Sequence, residues 1–193
     1  MPVEAAEKFY TVKEYLALEQ KAKTKHEYYN GKIKTMSGAS YIHNRIAVNV
    51  MTELAFFARN TDFIVLNSDM KIHISQLESF VYPDAVVVFE KPLFYEGRTD
   101  VVLNPLLIVE VASRSTKNYD RTTKFEYYKT LPSFKEYVLI EQDKPWAIAS
   151  YKIADRTWRD SEALSLTDTL HLQSVDYTLQ MKNVYYGIEF KTP

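Results

Sequence analysis

The chain has no cysteine. That removes thiol catalysis, disulfides and thiolate-held zinc together, and it fits a reducing compartment. The 4 glycines, Gly31, Gly38, Gly97 and Gly187, leave no phosphate-cradling loop and no dinucleotide fingerprint. The 4 histidines, His26, His43, His73 and His171, are scattered, and none forms the two-histidine helical pair of a zinc protease. No histidine is spaced against Ser113 or Ser115 as a serine hydrolase would need, so these serines read as a turn and a helix start. No apolar run approaches a membrane span, and the basic-then-apolar pattern of a signal peptide is missing. The expectation is a cytoplasmic protein without a membrane partner. Net charge is only −1, which excludes a generally basic nucleic-acid binder.

What is present fits one domain spanning residues 1–193, with 46% apolar and 25% charged residues, near the globular average. Aromatic residues reach 14%, 15 of them Tyr, so many rings belong at the surface or at an interface, and a homodimer is expected. The charge is unevenly spread. Lys21, Lys23, Lys25, Lys32 and Lys34 are opposed in their stretch only by Glu27, and Arg114, Lys117, Arg121, Lys124 and Lys129 outnumber Asp120 and Glu126. The balancing acids Asp155, Asp160, Glu162, Asp168 and Asp176 lie toward the C-terminal third. A basic run is ordinarily a solvated face, but both runs flank candidate site residues, which favours an anionic substrate.

Local signals give the elements. Thr11 caps a first helix, Glu14 completes a capping box, and Tyr10 with Tyr15 forms a hydrophobic staple. Asn30-Gly31 marks a hairpin between Glu27–Tyr29 and Lys32–Met36. Ile42, Ile46, Val50 and Leu54 recur at helical spacing between Tyr41 and Arg59. Strands are expected at Phe63–Leu66, Met70–Ile74, Ala85–Phe89, Leu106–Ala112, Tyr137–Ile140 and Trp146–Ile153, with a helix over 114–130 ended by Pro132. Val175, Tyr177, Leu179 and Met181 alternate before a short helix through Tyr185. The expected class is α/β (α+β), a mixed central sheet flanked by helices.

Two acids stand out. Glu110 interrupts the apolar run Leu106–Ala112, and Asp84 opens the run Ala85–Val88 directly after Pro83. A buried carboxylate must be paired or bind metal, because an isolated buried charge is too costly. Strand alternation puts Glu110 on the face of Leu106, Ile108 and Ala112. Taken alone, Glu110 is either half of an ion pair or a site residue, and Asp84 alone reads as a turn residue. The helix that follows aligns Asp120, Lys124 and Tyr128 at four-residue steps. Lys124 alone would pair with Asp120; beside two carboxylates it reads as a cation serving a metal site.

The segments YPDAVVV, LLIVEVASRST and YDRTTKFEYYKTLPSFKEYVLIEQ resemble the Uma-type restriction endonucleases, a branch of the PD-(D/E)XK nuclease superfamily. The likeness runs from the opening capped helix to the terminal VYYGIEF. It implies a restriction-endonuclease-like core with Asp84 and Glu110 as ligands of Mg2+, Mn2+ substituting, and the Val111 backbone carbonyl as a third. The superfamily lysine two residues after the glutamate is replaced here by Ala112, and the resemblance implies that Lys124 takes its role. Glu27, within HEYYNGKI, matches an acidic residue that joins the metal site or its waters. Tyr128 and Gln142 match family positions with phosphate or water contacts. His43, at the start of the long helix, also matches a family histidine, which implies that it faces the site; its own position reads as a capping or structural one.

The function these features point to is a Mg2+-dependent endonuclease acting on nucleic acid, DNA in particular, with Asp84, Glu110, Lys124 and Glu27 in the catalytic machinery. The competing reading is a nuclease-fold module that binds nucleic acid or a protein without cutting.

Overall fold

The computed structural model describes residues 8–113 and 116–190. Helix α1 (Val12–Glu19) begins with the reciprocal cap: the Glu14 N–H donates to Thr11 Oγ1 at 3.2 Å, and the Thr11 N–H donates to Glu14 Oε2 at 2.7 Å. Such a cap contributes about 1 kcal/mol. Tyr15 is fully buried with Tyr10 packed against its cluster, as the staple requires. Strands β1 (His26–Tyr29) and β2 (Lys32–Thr35) pair around Asn30 and Gly31. Their φ angles of 42° and 93° are those of the primed turns that match strand twist. A Cβ on Gly31 would also meet the exposed Phe9 ring at 2.7 Å, which would have to shift.

Ser40 caps α2 (Tyr41–Ala58), whose Ile46, Val50 and Leu54 form a buried stripe. There follow β3 (Phe63–Asn67), β4 (Lys71–Ile74), β5 (Ser79–Val81), β6 (Ala85–Phe89), β7 (Val101–Val102) and β8 (Leu107–Ala112). Then come α3 (Lys117–Tyr119), one π-helical turn (Asp120–Lys124) and α4 (Phe125–Tyr128). The chain closes with β9 (Glu136–Glu141), β10 (Ala147–Ala154), β11 (Thr157–Ala163), β12 (Thr169–Leu172), β13 (Tyr177–Gln180) and α5 (Met181–Val184).

A six-stranded sheet, β11-β10-β9-β8-β6-β3, is antiparallel except for the β8–β9 pair, which the α3–α4 segment connects. A five-stranded sheet runs β2-β1-β5-β4-β7, and β12 pairs with β13. The central sheet is covered on both faces. Ile46, Val50 and Leu54 of α2 pack with Val87, Val109 and Val138 on one side. On the other, Val86, Ile108 and Leu139 pack with Ile72 and Ile74 of β4, with Tyr128, and with Phe134. Two-sided burial explains why β6, β8 and β9 read as continuous apolar runs. It also places Glu110 in the second layer, under the connecting helix.

Several expectations change. The helix expected over 114–130 is described from Lys117 to Tyr128 and is not uniformly α-helical; Arg114 and Ser115 lie outside the described residues. Ser113 does form the expected turn, its Oγ accepting from the Thr116 N–H at 3.3 Å. Strands β5, β7, β11 and β12 carry no adequate local signal; β11 reads TWRDSEA and is held as an edge strand by β10 alone. Val175 precedes rather than begins the last strand, which starts at Tyr177.

Candidate active site

Pro83 and Asp84 lead into β6, and the antiparallel register Ala85↔Val109, carried one residue further, sets Asp84 opposite Glu110. Asp84 Oδ2 accepts the Val111 N–H at 2.7 Å. Asp84 Oδ1 lies 2.9 Å from Nε2 of His43, which α2 delivers from its first turn. That imidazole also hydrogen-bonds the Val111 carbonyl. Burial opposes charging the ring, but the bond and charge of Asp84, with Asp120 behind it, leave the His43 pKa raised.

Glu110 is 4% exposed. Its Oε1 accepts from Lys124 Nζ at 2.6 Å and from the Tyr128 hydroxyl at 2.7 Å. Lys124 Nζ also stands 3.6 Å from Glu27 Oε1 and 3.5 Å from the Tyr82 carbonyl. Glu27, on β1, accepts the Tyr82 N–H at Oε1 (3.2 Å) and the Tyr29 hydroxyl at Oε2 (2.6 Å). The structure therefore brings Asp84, Glu110, Lys124 and Glu27 into one neighbourhood, from four separate elements. Asp120 joins them from the π turn, held by a side-chain bond to Thr116.

The alignment of Asp120, Lys124 and Tyr128 depends on that π turn. In an α-helix each four-residue step overshoots a full turn by about 40°, so the third residue would drift by about 80°. One wider turn takes back part of the overshoot. All three side chains are consequently buried on the face toward β8. Lys124 is not spent on the intrahelical partner expected for it alone. Its close carboxylates are Glu110 and Glu27, while Asp120 acts on it through space.

Burial works against the Lys124 charge, yet Glu110, Glu27 and Asp120 outweigh it and push the pKa up, so the ammonium is held charged. Glu110 is pushed well up by burial, with Lys124 opposing and the charges of Asp84 and Asp120 adding to the shift. Asp120 is raised for the same leading reason. The cluster thus holds four carboxyl groups against one lysine and one histidine. Among the described residues no three His, Asp or Glu side chains converge to hold an ion by themselves. Two carboxylates and a carbonyl suit Mg2+, which keeps several waters, and do not suit a closed zinc cage.

Residues 12–182 match the family Uma2, described as "Putative restriction endonuclease". The chain belongs to this family. Two relatives from Synechocystis sp. have similar length. The "Uncharacterized protein sll1609" is 37% identical over 164 residues, covering 85% of this chain and 93% of the relative. The "Uncharacterized protein slr1290" is 30% identical over 189 residues, covering 92% of each. Among solved structures, one from Anabaena variabilis, described as a "putative nuclease belonging to DUF820", superposes with a TM-score of 0.73 over 91% of this chain and 97% of its own. At 14% identity that likeness carries the fold alone.

In this Uma2 chain two groups had no adequate sequence signal, and a third, His43, was signalled only by its match to a family position. His43 is a partner of Asp84 rather than only part of the helix start. Tyr82 serves through its backbone, which no side-chain pattern reveals. Tyr29 serves through its hydroxyl, and one tyrosine among 15 is not conspicuous. Gln142 takes a structural part: its Oε1 accepts from the α2 cap Ser40 at 2.9 Å and its N–H donates to the Ala112 carbonyl, clipping the start of α2 to the end of β8.

Proposed function

We propose that this chain is a Mg2+-dependent endonuclease that hydrolyses phosphodiester bonds in DNA. The observation that carries the reading is the surplus of carboxyl groups, Glu27, Glu110 and Asp120 buried and Asp84 partly buried, around the single ammonium of Lys124. A surplus of buried acid is costly without a further cation, and a pocket of oxygen donors suits a hard one. Asp84, Glu110 and the Val111 carbonyl would hold Mg2+ or Mn2+. When bound, the ion supplies Lewis acidity at a phosphoryl oxygen and a water of lowered pKa.

The chain's own groups have distinct parts. Tyr128 and Lys124 orient Glu110, and His43 with the Val111 N–H orients Asp84. Lys124 keeps its proton and so offers fixed positive charge to the phosphorane oxygens as negative charge builds on them. Glu27, anchored by Tyr29 and the Tyr82 N–H, is placed to accept a hydrogen bond from the attacking water.

One observation favours the competing, non-cleaving module: both Asp84 oxygens and one Glu110 oxygen are already engaged by protein groups. Incubation of purified protein with plasmid and Mg2+ or Mn2+ separates the two. Cleavage by the wild type, lost in Asp84→Ala and Lys124→Ala and in EDTA, supports the endonuclease. Plasmid binding without metal-dependent cleavage supports the module instead.

A further inference from the structure

Outside the acid cluster, two groups of cations stand beside its edges. Alternation along the first hairpin puts Glu27 and Tyr29 on the same face as Lys34, the direct cross-strand partner of Glu27. Directly opposed Cα atoms lie about 5 Å apart, so Lys34 rises immediately beside Glu27. Its Nζ sits 4.6 Å from the centroid of Tyr119. The Tyr119 hydroxyl donates to that of Tyr29 at 2.6 Å, which in turn donates to Glu27. Lys34 is exposed and stands over this chain of hydroxyls at the hairpin side of the site.

At the β8 edge, Ala112 follows Glu110 by two residues on the same face, about 7 Å further along. It lines a cavity of about 340 Å³ with Ser113, Lys117, Glu141, Asp143 and Lys144. The small side chain at 112 leaves this space open at the carboxyl ends of the parallel strands β8 and β9. Lys117, from the first turn of α3, and Lys144, from the β9–β10 connection, converge there. They share Glu141, at 2.6 and 4.0 Å, and each stands within 6 Å of the Trp146 ring, at 5.8 and 5.9 Å. Glu141 is buried and meets both ammoniums, while the two lysine side chains remain 36% and 58% exposed. Other lysines are engaged away from the site: Lys25 with Asp69, Lys71 with Asp100 and Lys129 with Glu126.

We propose that Lys34, beside Glu27, and Lys117 with Lys144, beyond Ala112, are backbone-phosphate contacts that carry a DNA strand past the acid cluster. The inference rests on the endonuclease reading and adds the path of the substrate to it. Ammonium groups act on phosphate as point charges and read no base, so these contacts set position and not sequence.

The test is binding of a short labelled DNA duplex, followed by anisotropy across a salt series in EDTA, which blocks a metal-dependent cut. Each phosphate contact contributes about 0.9 to the slope of log K against log salt. Lys34→Ala, Lys117→Ala and Lys144→Ala should each lower the slope by roughly one, and Lys34→Ala/Lys117→Ala by roughly two. Lys182→Ala, on α5 across the central sheet, should leave it unchanged. Circular dichroism confirms that each variant is folded. Slopes equal to wild type in the three variants, or an equal loss in Lys182→Ala, overturn the path while leaving the plasmid-cleavage result standing. A wild type that neither binds duplex nor cuts plasmid overturns path and endonuclease reading together.

Discussion

At the scale of single residues, Lys124 and Glu110 form a pair that serves something other than stability. Both are about 5% exposed, and two charges removed from water recover little more than their desolvation. Removing one partner is a different matter, because it strands the other. Lys124→Met should destabilise the fold by about 3–5 kcal/mol in urea unfolding, and Lys124→Met/Glu110→Leu should restore most of that loss without restoring cleavage. Tyr128→Phe removes a donor from a buried carboxylate and should cost about 1–3 kcal/mol. A double variant no more stable than Lys124→Met would mean that the pair does support the fold. Glu110 was legible in the sequence because a charge inside an apolar run has few explanations. Asp84 was legible only beside it. His43 was legible only through the family resemblance, because nothing local separates an imidazole at a helix start from one aimed across to another strand.

The element on which the site turns is the connection from β8 to β9. Its five-residue π turn brings Asp120, Lys124 and Tyr128 to one face, and π turns are rarely kept without a use. Thr122 lies within it, exposed, its hydroxyl bonded to the Asn118 carbonyl at 2.6 Å. Deleting Thr122 should let the segment close to plain α-helix, with Lys124 three residues past Asp120 and so about 60° off its face. The expected outcome is an unchanged far-ultraviolet dichroism spectrum with cleavage lost; retained cleavage would show that the wide turn is incidental. A helix was legible here from its periodicity. The π turn was not, since it arises from tertiary demand on the polar stripe and not from residue preference. The same holds for β11, whose charged residues form a strand only because β10 offers its edge, and for β7, whose two residues are too few to show a period. Capped α1, the Asn30-Gly31 hairpin and α2 were legible because their signals are local and chemically specific.

Across the whole molecule, the central sheet is buried on both faces, and the acids are sited where β6 and β8 meet the connecting helix and the first hairpin. Four elements must fold before the cluster exists, so the acids come together only in the native state, and any ion they hold should stabilise that state. No helix among the described residues is long and apolar enough to cross a membrane. The measurement that tests the central claim most directly is calorimetric titration of Mn2+ into the metal-free protein. A saturable single-site heat in the wild type, abolished by Asp84→Asn and by Glu110→Gln and unaffected by Lys182→Ala, is the predicted result. A wild type with no saturable heat, or Asp84→Asn and Glu110→Gln proteins that bind Mn2+ as the wild type does, would contradict it.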